Sequence, residues 1–308
     1  MNILKDFSKK DDKRRIITIG SFDGLHKAHR LLIEKTVETA KITGEVASAI
    51  TFSYDFAKKN SKTAGLILPY SEKTAIFEQL GIEDLYNVPF TDEIMHTSAE
   101  KFVRDVLARN LGVTQLVLGD DARFGSDMVG VSEIGRICEK YEVKIHIVQE
   151  VRINSNRVSS SLIRRMLKDG VVGDELKQYL GRYYTITSNV VHGNNFGNKI
   201  GFPTANIEVD KELILPKNGV YYAECIIGDK KYNSALNIGC KPSVENSYFG
   251  IEAFILDFSG DIYGQEIKII PKKFLRDEIK YDSIDKLTEQ IDKDASQVRI
   301  LANRNEIV

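Results

Sequence analysis

The hydrophobic pattern of this chain changes character once, near Gly181-Arg182, and that change limits the possible folds more than any other feature. Ahead of it, short apolar runs alternate with helix-spaced stretches. Ile16–Ile19 leads to a helix around Arg30–Lys41, Ala47–Phe52 is β-branched and apolar, and Ile76–Leu80, Leu85–Val88, Phe102–Leu107, Leu116–Leu118, Ile134–Tyr141 and Val143–Val148 continue the alternation. Such β-α-β-α order predicts an α/β domain with a parallel sheet covered by helices. Ligands of open parallel sheets sit beyond the carboxyl ends of the strands, so the loop after the first strand is where chemistry is expected. After a helical stretch over Ser161–Leu180 the pattern becomes strand and turn: Tyr183–Val191, Val220–Ile227, Tyr232–Asn237, Ile251–Phe258 and Ile267–Phe274, separated by Gly, Asn and Asp. This predicts a compact antiparallel barrel or sandwich. Ile284, Leu287, Ile291, Ala295 and Val298 then recur at three- and four-residue steps behind Ser283, a helix with its N-cap. The expected domains are 1–181 and 182–308.

The bulk numbers narrow the class. Acidic and basic residues nearly cancel, leaving a net charge of −1, which offers nothing to nucleic acid. No apolar run approaches the roughly 20 residues needed to cross a bilayer, and Met1–Arg15 is too charged for a secretory signal. Cys138, Cys225 and Cys240 are odd in number and lack metal-ligand spacing, which suits a reducing cytoplasm. A soluble cytoplasmic protein, a monomer or weak homo-oligomer, is expected.

Two loops carry candidate chemistry. After the first strand comes Gly20-Ser21-Phe22-Asp23-Gly24-Leu25-His26-Lys27-Ala28-His29. Two histidines three apart at a helix start can both reach phosphate oxygens, and the helix N-terminus adds backbone donors. Nucleotidyl transfer needs mainly positioning and charge stabilisation, so the tools fit, although an H-x-x-H pair alone is weak evidence. The second loop runs from His192 to Asn206. Gly193 and Gly197 permit close backbone approach to a phosphate, Gly201-Phe202-Pro203 stiffens the chain, and Thr204 and Asn206 offer hard oxygen ligands. No G-x-x-x-x-G-K-[ST] occurs, so this is not a Walker A loop. A Gly-rich hairpin leading into a Pro-bent strand is the competing reading.

Residues 182–300 resemble the riboflavin kinase family through several ordered motifs: Gly201–Asn206 (G-F-P-T-A-N), Gly219-Val220-Tyr221, Asn237-Ile238-Gly239 with Lys241-Pro242-Ser243, Glu252 to Phe258 followed by Gly260–Gly264, and Phe274–Glu278. Residues 15–170 are similar to the N-terminal module of bacterial bifunctional riboflavin kinase/FAD synthetases, a Rossmann-like nucleotidyltransferase fold. The matching segments are Gly20–His29, Gly119–Gly125 and Val158–Arg164. The resemblance implies ATP-dependent phosphorylation of riboflavin to FMN in the second domain and adenylylation of FMN to FAD in the first, with Mg²⁺. It further implies Glu252 as the base that accepts the proton of the ribityl hydroxyl, Thr204 and Asn206 as metal ligands, and Gly193 and Gly197 over the ATP phosphates. In the first domain His26 and His29 would be catalytic, with Gly20, Phe22, Asp23, Ser159, Ser160, Ser161 and Arg164 around the nucleotide. Arg276, Asp121, Phe124 and Tyr221 would border flavin. Read from the strand pattern alone, Glu252 is either an inward carboxylate or a residue on the solvated face of an edge strand. For Arg276 the alternative is a surface pair with Glu278 or Asp282, and for Tyr221 it is core packing.

Three positions depart from the family pattern. Ala28 replaces the motif glycine, Thr51–Phe56 lacks the histidine and prolines of T-F-x-P-H-P, and Met128 stands where a basic residue is expected. Each removes or crowds a phosphate contact, and Lys27 and Lys58 are candidate substitutes. Two alternatives follow: a riboflavin kinase with a relic or regulatory first domain, and a flavin-binding sensor without turnover.

Overall fold

The computed structural model describes residues 1–8, 11–52, 65–193, 197, 201–241 and 248–305. The chain forms two compact units, Met1–Leu162 and Ile163–Val308.

In the first unit six strands lie side by side: β1 (Asn2–Leu4), β2 (Arg15–Ile19), β3 (Val46–Phe52), β4 (Asp84–Val88), β5 (Val113–Gly119) and β6 (Lys144–Val148). Their order is β1-β4-β3-β2-β5-β6 and every pairing is parallel. From β2 the chain steps outward to β3 and β4, then returns to the other side of β2 as β5. The strand order therefore reverses between β2 and β5, where the connections that follow them lead to opposite sides of the sheet and leave a crevice at the carboxyl ends. Both faces of the sheet are covered, which explains the unbroken apolar runs in its central strands. Ile17, Ile50 and Leu116 pack with Phe102, Leu107 and Ile134 on one face. Ile16, Ala49 and Val117 pack with Ile33 and Phe77 on the other. Those partners come from α1 (Lys27–Thr43), α2 (Tyr70–Gln79), α3 (Val131–Lys140) and a π-helix over Phe102–Asn110.

The edge strand β1 has no counterpart in the sequence reading, and its anchorage is polar. Arg15 is fully buried and pairs with Asp84 (3.1 Å) and Asp11 (2.7 Å), while Asn2 donates to Asp84 at 2.8 Å. Asn2, Arg15 and Asp84, which look like polar punctuation, thus tie β1, β2 and β4 together.

The expected helical stretch over Ser161–Leu180 is two helices, α4 (Ser160–Lys168) and α5 (Gly173–Leu180), parted at Gly170, whose φ of +82° ends the first. In the second unit α5 lies so close to the barrel that a Cβ on Gly173 would collide with the Lys272 carbonyl. The barrel strands are β7 (Ile186–Val191), β8 (Thr204–Ile207), β9 (Gly219–Ile227), β10 (Lys230–Lys241), β11 (Tyr248–Ile255) and β12 (Glu266–Arg276). They close in the order β7-β8-β11-β10-β9-β12, all antiparallel. Tyr221, Leu236, Ile251, Ala253 and Ile269 fill the interior. Outside, Tyr222, Ala235 and Leu256 are covered by Ala295, Val298 and Ala302 of α6 (Ile284–Asn305). Ser283 accepts the Lys286 N–H at 3.4 Å, the cap its position predicts.

Candidate functional site

At the crevice between β2 and β5 lies a cavity of about 310 Å³, lined by Gly20, Phe22, His26, Ala28 and His29, by Asp120–Ala122, and by Glu150 with Arg157–Ser160. The loop Gly20–His26 is held in a strained path: Phe22 and Leu25 have φ of +50° and +38°, values side chains other than glycine seldom adopt. Burial of both residues in the apolar core keeps them there. His26 caps α1, its Nδ1 accepting the His29 N–H at 3.3 Å, and the two imidazoles stack at 3.6 Å. Phe22 supports the His29 ring edge-on at 5.3 Å and itself rests on Phe77. Among the described residues His29 Nδ1 is buried without a hydrogen-bond partner. Burial, then the neighbouring His26, then Lys73 hold the His29 imidazole well below its ordinary value of 6.5, so it stays neutral at neutral pH.

A second helix also begins here. Ser160 Oγ donates to the Asp23 carbonyl at 2.8 Å and Ser159 Oγ accepts the Leu162 N–H at 3.2 Å, so these hydroxyls shape the start of α4. Neither α1 nor α4 carries an acid in its first turn, so neither helix's own side chains neutralise its positive end. Asp23, only 8% exposed, accepts the Ile67 N–H at 3.0 Å and so pins the loop. The opposite wall is charged differently: Arg157 pairs with Asp121 and lies 3.3 Å from Glu150.

The barrel holds the other candidate cluster. Across three neighbouring strands the register sets Asn206 of β8 opposite Glu252 of β11, and Glu252 opposite Asn237 of β10. Directly opposed residues share a face, so Asn206, Glu252 and Asn237 form one polar row. One step along, Thr204 faces Phe254. Strand β11 is paired on both sides, so it is no edge strand, and its buried positions are Ile251, Ala253 and Ile255. Glu252 lies on the opposite, half-buried face, beside the Phe254 that packs toward α6. The expectation of an inward carboxylate is corrected by this alternation: the barrel interior is apolar, and the polar row is outside it. Gly193 lies against the Asn206 side chain and Gly197 against the Phe202 carbonyl, where an added Cβ would collide in both cases; Thr204 Oγ1 would be 3.1 Å from the Gly197 one.

Family models fall on the two halves separately. One described as FAD synthetase matches residues 8–162, and one described as riboflavin kinase matches 180–302. A bifunctional riboflavin kinase/FMN adenylyltransferase of Listeria monocytogenes is 31% identical, covering 94% of this chain and 92% of its own length. This chain belongs to the bifunctional riboflavin kinase/FMN adenylyltransferase family. The Bacillus subtilis member is likewise 31% identical, over 96% of this chain and 95% of that one. A solved structure described as a macrolide-efflux protein from Streptococcus pneumoniae shares the fold, with a TM-score of 0.85 and 26% identity over 97% of this chain and 98% of that chain. Among the described residues no helix is long and apolar enough to cross a membrane. The protein is an enzyme with two transferase domains.

Measured against the family motifs, His26, His29, Gly20, Phe22, Asp23, Asp121, Ser159 and Ser160 come together around one cavity or its loop. Ser161 is exposed at the start of α4, and Arg164 follows on the same helix past the Leu162/Ile163 division. Phe124 is packed in the core, edge-on to Phe102 at 5.4 Å. Tyr221 is fully buried, its ring on Phe274 and its hydroxyl on the Lys217 carbonyl at 2.5 Å. Arg276 grips Asp294 of α6 with both arms, Nε at 3.0 Å and Nη2 at 2.6 Å, rather than Glu278 or Asp282. His192 stacks on Tyr263 at 3.9 Å, a support for the start of the glycine loop. Met128 is exposed in a turn with φ of +50°. Of the altered segment, Thr51 donates to the Ser21 carbonyl at 3.1 Å, while Ser53–Phe56 and Lys58 lie outside the described residues.

Two residues near the sites are given no site role by the sequence. Asn237 figures there only as part of the Asn237-Ile238-Gly239 motif, and its place beside Glu252 is visible only through strand register. Lys73 looks like an ordinary helix lysine, yet it is 9% exposed and donates to Thr51 Oγ1 at 3.1 Å and the Ser21 carbonyl at 3.4 Å.

Proposed function

We propose that the barrel phosphorylates riboflavin and that the first domain adenylylates the resulting FMN, each from its own ATP. The terminal ribityl hydroxyl of riboflavin attacks the γ-phosphorus, its proton passes to Glu252, and the bond to the β-phosphate oxygen breaks to release ADP. The observation that carries this reading is the row Asn206–Glu252, a carboxylate beside a hard oxygen donor, with glycine backbone closing on the same amide. Thr204 and Asn206 offer a hydroxyl and an amide oxygen, which suits Mg²⁺ shared with substrate phosphates better than an all-protein cage. When bound, the ion would neutralise charge on the β- and γ-phosphates. Asn206 and Asn237 flank the base on the two neighbouring strands.

In the first domain an FMN phosphate oxygen attacks the α-phosphorus of ATP, and pyrophosphate leaves. His26 and His29 would contact those phosphates at the start of α1, with a neutral His29 donating its single ring N–H. Gly20, Asp23, Ser159 and Ser160 shape the same pocket, and Asp121 stands on its far wall. Ser161 and Arg164 on α4, and Arg276 in the barrel domain, stay in the proposal as ligand contacts reached by local adjustment. We assign residues 1–181 and 182–308 to the two activities. A cytoplasmic setting belongs to the same reading and is supported by the free, buried thiols of Cys138 and Cys225.

The test supplies purified protein with riboflavin and ATP, then separately with FMN and ATP, each with Mg²⁺, and resolves flavins by chromatography. FMN in the first and FAD in the second are expected. Glu252→Gln should lower FMN formation about 10²–10⁴-fold with flavin affinity retained. FMN without FAD would reduce the first domain to a regulatory role, and a Glu252→Gln protein with unchanged turnover would remove the base.

A further inference from the structure

Lys73 is a buried ammonium beside the Gly20–His29 loop and, unlike Lys272, which faces Glu224, it has neutral hydrogen-bond partners. It sits on α2, with Phe77 one turn later supporting Phe22 and through it His29. Its two hydrogen bonds reach the Ser21 carbonyl in the loop after β2 and the Thr51 hydroxyl at the end of β3. Both acceptors are neutral. Among the described residues no carboxylate lies within ion-pair distance of Nζ, and the Tyr70 ring, 5.7 Å away, is a weak further partner. A lysine has three donors, so one N–H is left over. Keeping an unpaired charge out of water is costly unless something repays it, and such groups gather where an anion is handled. The charged groups around it are Asp23, whose carboxylate is held by Ile67, and His29 with His26 at the cavity.

We infer that Lys73 is a positioning residue for adenylyl transfer: its buried ammonium ties the Gly20–His29 loop to β3 and adds positive field under the nucleotide phosphates. This rests on the adenylyl-transfer reading of the first domain. It also supplies a positive group from below the loop in a chain whose Met128 and Thr51–Phe56 segment lack the family's basic and histidine side chains. The same charge favours a neutral His29, so one buried group serves both the loop and the imidazole.

Burial lowers the Lys73 ammonium to about 8, with Asp23 opposing the shift. Its charge is therefore present below that pH and lost above it, and a polyphosphate should bind more weakly as the pH rises through about 8.

The experiment measures FAD formation from FMN across a range of ATP concentrations between pH 6.5 and 9.5, using full-length wild type, Lys73→Met and Lys73→Arg. Riboflavin phosphorylation and thermal unfolding are followed on the same samples. Lys73→Met should lose about 10- to 100-fold in kcat/KM for ATP, chiefly through KM, while FMN formation is unchanged. Lys73→Arg should recover most of the loss and remove the decline in ATP affinity above pH 8 that wild type shows. Wild-type kcat/KM for ATP in Lys73→Met would overturn the inference. So would equal impairment of both variants with the wild-type pH profile intact, because a purely structural lysine behaves that way. Absence of FAD from wild type itself would instead take down the adenylyl-transfer reading, and this inference with it.

Discussion

Gly193 lies flat against the side-chain amide of Asn206, so closely that a Cβ on Gly193 would collide with its nitrogen, carbon and oxygen atoms. Loop and strand are thereby brought together at the residue opposite Glu252 in the next strand. Gly193→Ala must push the loop away or turn the amide. Such overpacking costs about 1–3 kcal/mol, and we expect riboflavin phosphorylation to fall about 10- to 100-fold while FAD formation from FMN is unaffected. Initial rates of the two half-reactions on one preparation check this.

Ala28 occupies the first turn of α1, on the wall of the cavity. On the adenylyl-transfer reading proposed above, its methyl group takes space that a glycine would leave to the nucleotide. Ala28→Gly should raise kcat/KM for FAD formation several-fold and lower the stability of the first unit by up to about 1 kcal/mol, the difference in helix propensity. Steady-state kinetics and thermal unfolding of the variant read the two effects separately.

The lowered proton affinity of His29 has a signed consequence for stability. Below pH 6.5 the unfolded chain takes up a proton that the folded imidazole, buried beside His26 and near Lys73, refuses. The unfolded state then binds more protons, so this contribution is complete above about pH 6.5 and declines as the pH falls from there toward the folded-state value. Wild type should therefore lose more of its melting temperature than His29→Gln between pH 7.5 and 5.5. Equal losses would show that the histidine is not the group responsible.

Asp294 is 4% exposed and receives both arms of Arg276, with Gln290 donating to it at 2.9 Å. Removing the carboxylate leaves a half-buried guanidinium unpaired and loosens α6 from the barrel. Asp294→Ala should cost about 2–4 kcal/mol, near the lower part of the range for breaking a buried pair, because Arg276 keeps some access to water. The variant should expose α6 to limited proteolysis and slow the kinase step. Resistance equal to wild type would contradict a clamping role.

Much of the architecture is local information. Alternating apolar runs predict the parallel sheet, Ser283 marks the start of α6, and the loop after Ile16–Ile19 is the expected place for chemistry because ligands of parallel sheets sit beyond the carboxyl ends of the strands. Strand interiors and helix faces repeat along the chain with periods of two and near four, so a single sequence displays them. Gly170 splits the expected long helix for an equally local reason, although its effect on the Ser161–Leu180 stretch is visible only once its φ is known.

Pairing across long separations is different. That Asn237 lies beside Glu252, that Arg276 reaches Asp294 and that Phe124 and Tyr221 serve packing depends on register and barrel closure, which no short window contains. The face of Glu252 illustrates the limit. Alternation groups it with Phe254, but only the closed barrel, apolar within and covered outside by α6, decides that this face is the outer one. Lys73 marks the same boundary: by composition it is a helix lysine, and burial beneath the Gly20–His29 loop, through contacts made 22 and 52 residues away in the chain, gives its charge a consequence. The sequence by itself determined the two domains, their family and most of their motif residues, because these are written in local pattern and spacing. The tertiary structure alone decided which of those residues line a cavity or a polar row and which pack in the frame, because solvent access and the electrostatic field of distant groups arise only when the chain is closed upon itself.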